Sequence, residues 1–246
     1  MIYVVANWKC NPTNAKEAKK IATGILSAAK AAKGVETVIC PPFCYLDEVL
    51  GAVKKVVALG AQDCYWEEGA FTGELSAQQL KDAKCQYVII GHSERRKHFG
   101  ETNEQTNKKI KAALAAGLTP ILCVGETREE RVAGSITQPI EAQIKEGLAG
   151  VDVLQTTVIV AYEPVWAIGT GQACSVEEAN YVRQFVNNIL GDKVPALYGG
   201  SVNADNAASY LKDAGFDGLL VGGVSLKADE FSKLLANVSE KPKKKK

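Results

Sequence analysis

Short apolar runs rich in β-branched residues recur along the chain, and longer stretches with helical periodicity separate them. The runs are apolar at successive positions instead of alternating with polar residues, which is typical of parallel strands that are covered on both faces. This pattern predicts eight strands, at residues 3–6, 37–40, 57–61, 87–91, 120–124, 158–162, 196–199 and 219–221.

Helical periodicity is clearest in four of the stretches between these runs. There the apolar residues recur every three or four positions, as on the buried face of an amphipathic helix. The predicted helices cover residues 15–32, 102–116, 176–190 and 228–237. Ser175 followed by Glu178 at the start of the third helix is the pattern of a capping box.

Strands and helices alternate through the whole chain, which predicts an α/β fold. Eight units in 246 residues average about 31 residues each, close to the ~30 residues of a strand–helix–strand unit. No linker rich in proline or serine and no shift in composition divides the sequence. We therefore expect a single domain, a closed (β/α)8 barrel over residues 1–240.

An open, doubly wound sheet is the alternative α/β arrangement. A dinucleotide-binding sheet of that kind carries a GxGxxG motif after its first strand. Here the first predicted strand is followed by Asn7, Trp8, Lys9 and Cys10. The sequence therefore argues against a dinucleotide site at this position and favours the barrel.

The composition is that of a folded globular protein, with 46% hydrophobic and 23% charged residues. The formal net charge is +1, so we expect no global field that attracts the chain to a nucleic acid or a membrane. Five of the positive charges lie in the last six residues. We expect residues 241–246 to form a disordered, lysine-rich tail.

Targeting signals and metal-site motifs are not evident in the sequence. The longest apolar runs have about five residues, far below the ~20 residues of a membrane-spanning helix. The apolar start of the chain is interrupted at Asn7 and Lys9, unlike a secretory signal, so we expect a cytoplasmic location. The seven cysteines form no CxxC pair and there are two histidines, so we expect reduced thiols and no structural metal.

Polar or glycine-rich segments follow five of the predicted strands. The strands of a parallel barrel open their carboxyl ends onto one face, so residues distant in sequence converge there. Singly, each segment has an ordinary explanation, such as a solvated lysine, a structural histidine or a glycine turn. Together they place a base, a cation and an imidazole on one face. The segments are Asn7-Trp8-Lys9, Gly91-His92-Ser93-Glu94, Glu163-Pro164, Gly199-Gly200-Ser201 and Gly222-Gly223.

These segments and their order make the sequence similar to the triosephosphate isomerase family. The matching motifs span residues 7–223, and the motif at 161–171 is highly specific by itself. The resemblance implies a TIM barrel, which is the (β/α)8 fold expected above. The motifs are NWK at 7–9, GHSERR at 91–96, CVGET at 123–127, AYEPVWAIGTG at 161–171, YGGSV at 198–202 and VGG at 221–223.

The resemblance also implies a reaction and the residues that perform it. Triosephosphate isomerases interconvert dihydroxyacetone phosphate and glyceraldehyde 3-phosphate through an enediol or enediolate, in glycolysis and gluconeogenesis, without a metal or organic cofactor. Glu163 matches the catalytic base of the family. His92 and Lys9 match the electrophiles that stabilise charge on the carbonyl oxygen, with Asn7 assisting. We expect Glu94 to position Lys9 or to shuttle protons; the alternative is a solvated surface carboxylate.

The same resemblance assigns phosphate binding and a lid. Ser201, Gly222 and Gly223 match glycine-rich loops that hold the phosphate of the substrate. Residues 164–171 match the family's lid, in which the Gly169 N–H meets the phosphate on closure. The sequence departs from the family at 173–176, which reads ACSV where a small residue, threonine and proline are common. Ser175 can cap the following helix as threonine does.

The segment over residues 62–74 carries three aromatic residues, which is unusual for a loop exposed on a monomer. We interpret it as an intersubunit loop and expect a homodimer that loses most of its activity when the subunits separate. The family resemblance places Thr72 near the first active-site loop of the partner subunit. A loop packed on its own chain is the alternative.

Two of the cysteines lie close to predicted site residues. Cys123 is near the end of the fifth strand, where we expect a small buried hydrophobe. Cys10 follows Lys9 directly, and we expect it to be the thiol whose modification affects the site.

Two other functional classes are open from the sequence. Another phosphate-binding barrel, such as an epimerase or a lyase of the indole-glycerol-phosphate type, would carry its acid and base on different strands. A catalytically silent barrel that serves as a binding or structural protein would have lost the base or the lid residues. The set of Lys9, His92 and Glu163 favours the isomerase.

Overall fold

The computed structural model describes residues 1–53, 56–168 and 173–239. Eight strands run through these ranges: β1 (Ile2–Asn7), β2 (Val35–Cys40), β3 (Ala58–Ala61), β4 (Tyr87–Ile90), β5 (Thr119–Val124), β6 (Ile159–Tyr162), β7 (Ala196–Tyr198) and β8 (Gly218–Val221). They are parallel and close into a barrel in sequence order, with β1 paired to both β2 and β8. The predicted fold and all eight predicted strands are confirmed, with boundaries that differ by at most two residues.

Two layers of apolar side chains explain why the strands are apolar at successive positions. Along β1, Val5 packs in a cluster inside the barrel, whereas Val4 and Ala6 pack against the surrounding helices. All three residues are fully buried, so neither face of this strand meets water. The interior cluster contains Val5, Val38, Cys40, Ala58, Ile89, Ile121, Cys123, Ile159, Ala161, Leu197 and Leu220.

Helices surround the barrel. They are α1 (Ala15–Ala31), α2 (Leu46–Val53), α3 (Ala77–Asp82), α4 (Ser93–Phe99), α5 (Asn103–Ala115), α6 (Arg128–Val132), α7 (Thr137–Gly147), α8 (Val176–Leu190), α9 (Ala207–Lys212) and α10 (Ala228–Val238). The four predicted helices are confirmed as α1, α5, α8 and α10. The predicted capping box is also present, because the Ser175 hydroxyl accepts the Glu178 N–H and the Glu178 carboxylate accepts the Ser175 N–H.

The loops after the strands meet at the carboxyl rim of the barrel. Short 3-10 turns follow β6 at Val165–Ala167 and β8 at Gly223–Leu226. The predicted lysine-rich tail and the predicted lid residue Gly169 lie outside the described residues. Among the helices that the structure describes, none has both the length and the apolar character that crossing a membrane requires.

Candidate active site

A cavity of about 330 Å³ opens at the carboxyl rim. Loops after β1, β4, β6, β7 and β8 form its walls, so side chains far apart in the sequence share one space. Glu94 contacts Lys9 beside this cavity. The predicted site residues that line the cavity are Asn7, Lys9, His92, Glu163, Ser201, Gly222 and Gly223.

Glu163 is the buried carboxylate of the cavity, with 2% of its surface exposed. It directly follows β6, and its backbone N–H donates to the Val124 carbonyl of β5 at 2.8 Å. Oε2 accepts the backbone N–H of Ser93 at 2.9 Å, and Oε1 lies 3.1 Å from Nε2 of His92. Groups at the start of α4 therefore hold the carboxylate in one orientation.

The hydrogen bonds of His92 define its tautomer. His92 is the N-cap of α4, and its Nδ1 accepts the backbone N–H of Glu94 at 3.1 Å. A nitrogen that accepts a hydrogen bond carries no proton, so the hydrogen of the neutral ring lies on Nε2. Nε2 lies 3.1 Å from Oε1 of Glu163. The imidazole is therefore a neutral donor at the wall of the cavity.

Lys9 has a left-handed backbone conformation with a φ of 53°, which is uncommon for a residue with a side chain. Its N–H donates to Oδ1 of Asn7 at 3.0 Å, and its carbonyl accepts from Nε2 of Gln62 at 2.8 Å. Its ammonium lies 2.5 Å from Oε1 of Glu94, 85 positions away in the sequence. These contacts keep the charge of Lys9 at the cavity.

Gly222 and Gly223 form another wall, where β8 ends and a 3-10 turn begins. A methyl group on Gly223 would meet no atom within 4 Å. On Gly222 it would meet Cε of Lys9 at 3.6 Å. The lack of side chains leaves open space beside the lysine ammonium, in which an anion can approach the backbone.

Ser201 lines the cavity, but its hydroxyl binds the protein itself. Oγ donates to the carbonyl of Ala167 at 2.7 Å, which joins the loop after β7 to the turn after β6. The Ser201 carbonyl accepts Nδ2 of Asn206 at 3.0 Å. In this conformation the hydroxyl that was predicted to contact phosphate supports the first part of the predicted lid.

The described part of the predicted lid, residues 164–168, rests on Glu126. This carboxylate is fully buried, and its Oε1 accepts Nε1 of Trp166 at 2.8 Å and the hydroxyl of Tyr162 at 3.2 Å. Arg131 lies 3.3 Å from the same oxygen, with its guanidinium 4.4 Å from the centroid of the Trp166 ring. Burial raises the pKa of Glu126, and these donors only partly oppose that effect.

Three supporting groups were not predicted from the sequence. The Ser93 N–H holds Glu163, Gln62 holds the Lys9 carbonyl, and Asn206 holds the loop of Ser201. Gln62 directly follows β3, so its place at a strand end is a signal that the sequence contains. A backbone N–H has no signature in the sequence, so Ser93 could not be found in this way.

The aromatic residues of the 62–74 segment pack on each other. Tyr65 stacks on Trp66 with ring centroids 4.0 Å apart, and it lies 4.5 Å from Phe71. All three are half-buried within one chain. The loop itself therefore covers part of the apolar surface that suggested a partner.

The two cysteines near the site differ in exposure. Cys123 is buried, and burial raises the pKa of its thiol well above the ordinary value. Cys10 is exposed. In the part of the chain that the structure describes, no three His, Cys, Asp or Glu side chains are arranged to hold a metal ion together.

Comparison with known proteins extends the similarity to nearly the whole chain. The family model described as triosephosphate isomerase matches residues 2–238. The triosephosphate isomerase of Endomicrobium trichonymphae is 45% identical over 242 residues, which cover 94% of this chain and 96% of that protein. The triosephosphate isomerase of Aquifex aeolicus is 45% identical over 242 residues, which cover 94% and 97%.

A solved structure shows the same likeness in three dimensions. The crystal structure of triosephosphate isomerase from Bartonella henselae has a TM-score of 0.86 to this chain at 33% sequence identity. The match covers 96% of this chain and 98% of that one. The barrel, the motifs at its carboxyl rim and the family match agree, and the chain therefore belongs to the triosephosphate isomerase family.

Proposed function

We propose that the cavity interconverts dihydroxyacetone phosphate and glyceraldehyde 3-phosphate, with Glu163 as base and with His92 and Lys9 as electrophiles. The observation that carries this proposal is the 3.1 Å contact between Glu163 and His92 at a cavity that Lys9 also lines. Proton transfer beside a carbonyl group requires a base, a hydrogen-bond donor and stabilisation of negative charge around one small space.

Glu163 moves the proton between the two carbons of the substrate. Its carboxylate is almost completely buried, so few water molecules compete for its oxygens. To reach a substrate carbon, Oε2 exchanges the Ser93 N–H, now 2.9 Å away, for the substrate C–H. A proton transfer by a positioned side chain of this kind contributes ~10²–10⁴-fold to the rate.

His92 stabilises the charge that develops on the substrate oxygen. Its Nε2, which lies 3.1 Å from Oε1 of Glu163, donates its hydrogen to that substrate oxygen when substrate is bound. The Glu94 N–H on Nδ1 fixes the ring orientation before substrate arrives. Because little reorganisation is then needed, such a donor contributes ~2.7–4 kcal/mol to transition-state stabilisation.

Lys9 supplies the positive charge of the site. An ammonium is a point charge without a fixed hydrogen-bonding plane, so it can serve the carbonyl oxygen and the phosphate together. Asn7 supports the left-handed backbone of Lys9 through its Oδ1. Glu94 accepts a hydrogen bond from the ammonium and holds it beside the cavity.

Backbone groups of Gly222 and Gly223 bind the phosphate beside Lys9. The open space at Gly223 supports this assignment. The Ser201 hydroxyl also binds the phosphate when it leaves the Ala167 carbonyl. Because Ala167 belongs to the first part of the lid, this exchange couples phosphate binding to the lid. The contact of the Gly169 N–H with phosphate stays a prediction from the family resemblance.

A turnover assay tests the proposed reaction. Purified chain is mixed with dihydroxyacetone phosphate, and the glyceraldehyde 3-phosphate formed is coupled to a dehydrogenase. Glu163→Gln should lower kcat by about 10²–10⁴-fold, whereas the exposed Glu177→Gln on α8 should match wild type. A wild type without turnover, or equal rates for Glu163→Gln and wild type, would overturn the proposal.

We also propose a homodimer formed through the 62–74 segment. A second cavity of about 460 Å³, lined by Lys9, Cys10, Phe43 and Gly73, lies between this segment and the Lys9 loop. Phe43 is 65% exposed, so a partner would cover apolar surface that this chain leaves in water. Such a surface next to Lys9 supports an interface on which the activity depends.

Sedimentation combined with the assay tests the dimer. Wild type should sediment at twice the chain mass of 26.3 kDa, and Phe43→Glu should shift it toward the monomer with a loss of activity. Leu154→Glu, at another exposed apolar residue, should not change either property. A fully active monomeric wild type would refute the dimer.

A cytoplasmic location and a single domain over residues 1–240 also stay predictions.

A further inference from the structure

Arg96 belongs to the GHSERR motif, yet none of the steps proposed above uses it. Its half-buried guanidinium donates through three nitrogens. Nε donates to the Gly91 carbonyl at 2.8 Å, NH1 to Oδ1 of Asn103 at 2.6 Å and NH2 to the Cys123 carbonyl at 3.5 Å. Arg96 therefore links the ends of β4 and β5 to the start of α5.

Gly91 is the residue directly before His92, and it has a φ of +73°. A glycine has no side chain that restricts its backbone angles, so its conformation depends on neighbouring groups. Glu101 accepts the Gly91 N–H at 3.0 Å, and Arg96 donates to the Gly91 carbonyl. A methyl group on Gly91 would lie 2.8 Å from NH2 of Arg96, so the close approach of this guanidinium requires the glycine.

We infer that Arg96 is a positioning residue for His92. The Gly91 carbonyl belongs to the peptide group that leads into His92, so the guanidinium fixes the plane from which the imidazole extends. The Glu94 N–H then fixes the rotation of the ring through Nδ1. This inference rests on the proposed function, because it assigns Arg96 to the step in which Nε2–H of His92 meets the substrate oxygen.

Arg96 could act on His92 through its hydrogen bonds or through its positive charge, and a lysine at this position separates the two roles. Burial lowers the pKa of Arg96, and the opposing effects of Cys123, Glu101 and Glu163 show that the guanidinium lies within electrostatic range of the proposed base. A lysine would keep a cation there, but it lacks the planar fork that reaches Gly91 and Asn103 together. Positioning therefore requires arginine, whereas a purely electrostatic effect would tolerate lysine.

Steady-state kinetics give the first readout. Arg96→Ala and Arg96→Lys should both lower kcat by about 10²-fold, the effect expected when a catalytic group moves by ~1 Å. KM should change by less than about threefold, because the phosphate contacts remain. Lys97→Ala, at the exposed next residue of α4, should match wild type. Circular dichroism supplies the folded fraction, so that kcat is expressed per folded molecule.

The imidazole itself gives a second readout that does not depend on turnover. The chain contains two histidines, so a sample labelled with ¹⁵N in its imidazoles gives two ring systems, which His98→Gln assigns. In wild type His92 should show a protonated Nε2 and an unprotonated Nδ1. In Arg96→Ala the two ¹⁵N shifts should approach each other as the tautomers mix, whereas Lys97→Ala should leave them unchanged.

Chemical rescue provides a third arm. A cavity of about 490 Å³ lies against Arg96, Ser93 and Lys97, and it gives a small cation access to the space that Arg96→Ala leaves. Guanidinium chloride at low millimolar concentration should restore part of the kcat of Arg96→Ala and none of that of Arg96→Lys, whose side chain still occupies the space.

The outcomes separate this inference from the proposed function. A normal kcat per folded molecule in Arg96→Ala, or a reduced kcat with an unchanged His92 spectrum, would overturn the positioning role. Full activity in Arg96→Lys would assign the effect to charge and also overturn it. If wild type lacks isomerase activity, the proposed function fails, and the imidazole spectra still decide whether Arg96 orients the ring.

Discussion

Gly125 packs directly against the backbone carbonyl of Glu163. A Cβ added to Gly125 would lie 1.7 Å from that carbonyl oxygen. The two residues follow β5 and β6, which thus stay in contact beyond their last paired positions. Gln143 holds Gly125 from another side, accepting its N–H at 2.8 Å and donating to its carbonyl at 3.1 Å. The backbone of the proposed base therefore packs against a residue that must lack a side chain.

Gly125→Ala should destabilise the chain and reduce its activity. Overpacking typically costs ~1–3 kcal/mol, and we expect about 3 kcal/mol or more because the neighbour is backbone and cannot change rotamer. Urea unfolding measures this loss. Gly51→Ala is the control: Gly51 lies in α2 with no atom within 4 Å of an added Cβ, so alanine should stabilise by about 0.5–1 kcal/mol. A free energy of unfolding for Gly125→Ala equal to that of wild type would contradict the prediction, and would show that the backbone after β6 moves away from Gly125 at little cost.

The contact between Lys9 and Glu94 leads to a second prediction. Glu94→Gln should lower kcat by about tenfold, because a hydrogen bond between charged groups contributes ~1.5–3 kcal/mol and solvent weakens this half-exposed pair. Steady-state assays on both triose phosphates measure the effect. Glu48→Gln removes a carboxylate from the exposed pair with Lys19 and should leave kcat unchanged. An unchanged kcat in Glu94→Gln would make Glu94 an ordinary surface carboxylate.

The strands were predictable because both of their faces are buried. In β6 all four residues are buried, so the sequence shows an uninterrupted apolar run that no amphipathic helix would give. Short helices leave no comparable pattern. The five residues of α6 include none that is buried, and a helix without a buried stripe cannot be found from hydrophobic periodicity.

The place of the candidate site was predictable from side chains at strand ends, because Lys9, His92 and Glu163 all line one cavity. The site was not predictable where the backbone of one loop holds a side chain of another, as the Ser93 N–H holds Glu163, or where two loops meet. The bond from Ser201 to the Ala167 carbonyl depends on how two loops fold against each other. Arg96 was visible as a letter of its motif, but its partner Gly91 is a carbonyl group that the sequence does not specify.

Cys10 should be the thiol whose alkylation inactivates the enzyme. It is exposed, follows Lys9 and lines the second cavity together with Cys44, so an adduct there displaces the Lys9 loop. Iodoacetamide should inactivate wild type and spare Cys10→Ala. Cys44→Ala, which removes the other exposed thiol, should be inactivated like wild type. Equal loss of activity in Cys10→Ala and wild type would contradict the prediction.

Glu101 lies in a buried cluster of ion pairs beside the 62–74 segment. Its Oε2 accepts Nζ of Lys109 at 2.7 Å and Nε of Arg95 at 2.6 Å, and its Oε1 accepts the Gly91 N–H. Burial raises the pKa of this carboxyl, but the two cations outweigh burial and hold the pKa below its ordinary value. The ionised form of Glu101 therefore stabilises the folded chain.

Glu101→Gln should lower the free energy of unfolding at pH 7 by about 3–5 kcal/mol, because Lys109 and Arg95, which already share Asp63, lose their second carboxylate. A carboxyl whose pKa falls on folding contributes stability above its unfolded pKa, about 4.5, and loses it as the pH falls through the folded pKa. The difference in the free energy of unfolding between wild type and Glu101→Gln should therefore shrink below about pH 4.5. Burial raises the pKa of Asp63 to about 6, so the titration of Asp63 is centred above this window.

Urea unfolding of both proteins between pH 7 and about pH 3 measures this dependence, since carboxylates paired in the native state titrate over that range. Glu104→Gln is the matched control. Glu104 pairs with Lys108 on the surface of α5, where an ion pair contributes little to stability, so its unfolding midpoint should follow wild type at each pH. The contradicting result is a difference in the free energy of unfolding between Glu101→Gln and wild type that is the same at every pH. That result would mean that the Glu101 carboxyl has the same pKa in the folded and unfolded chain. Its cluster would then stabilise the fold through packing and not through charge.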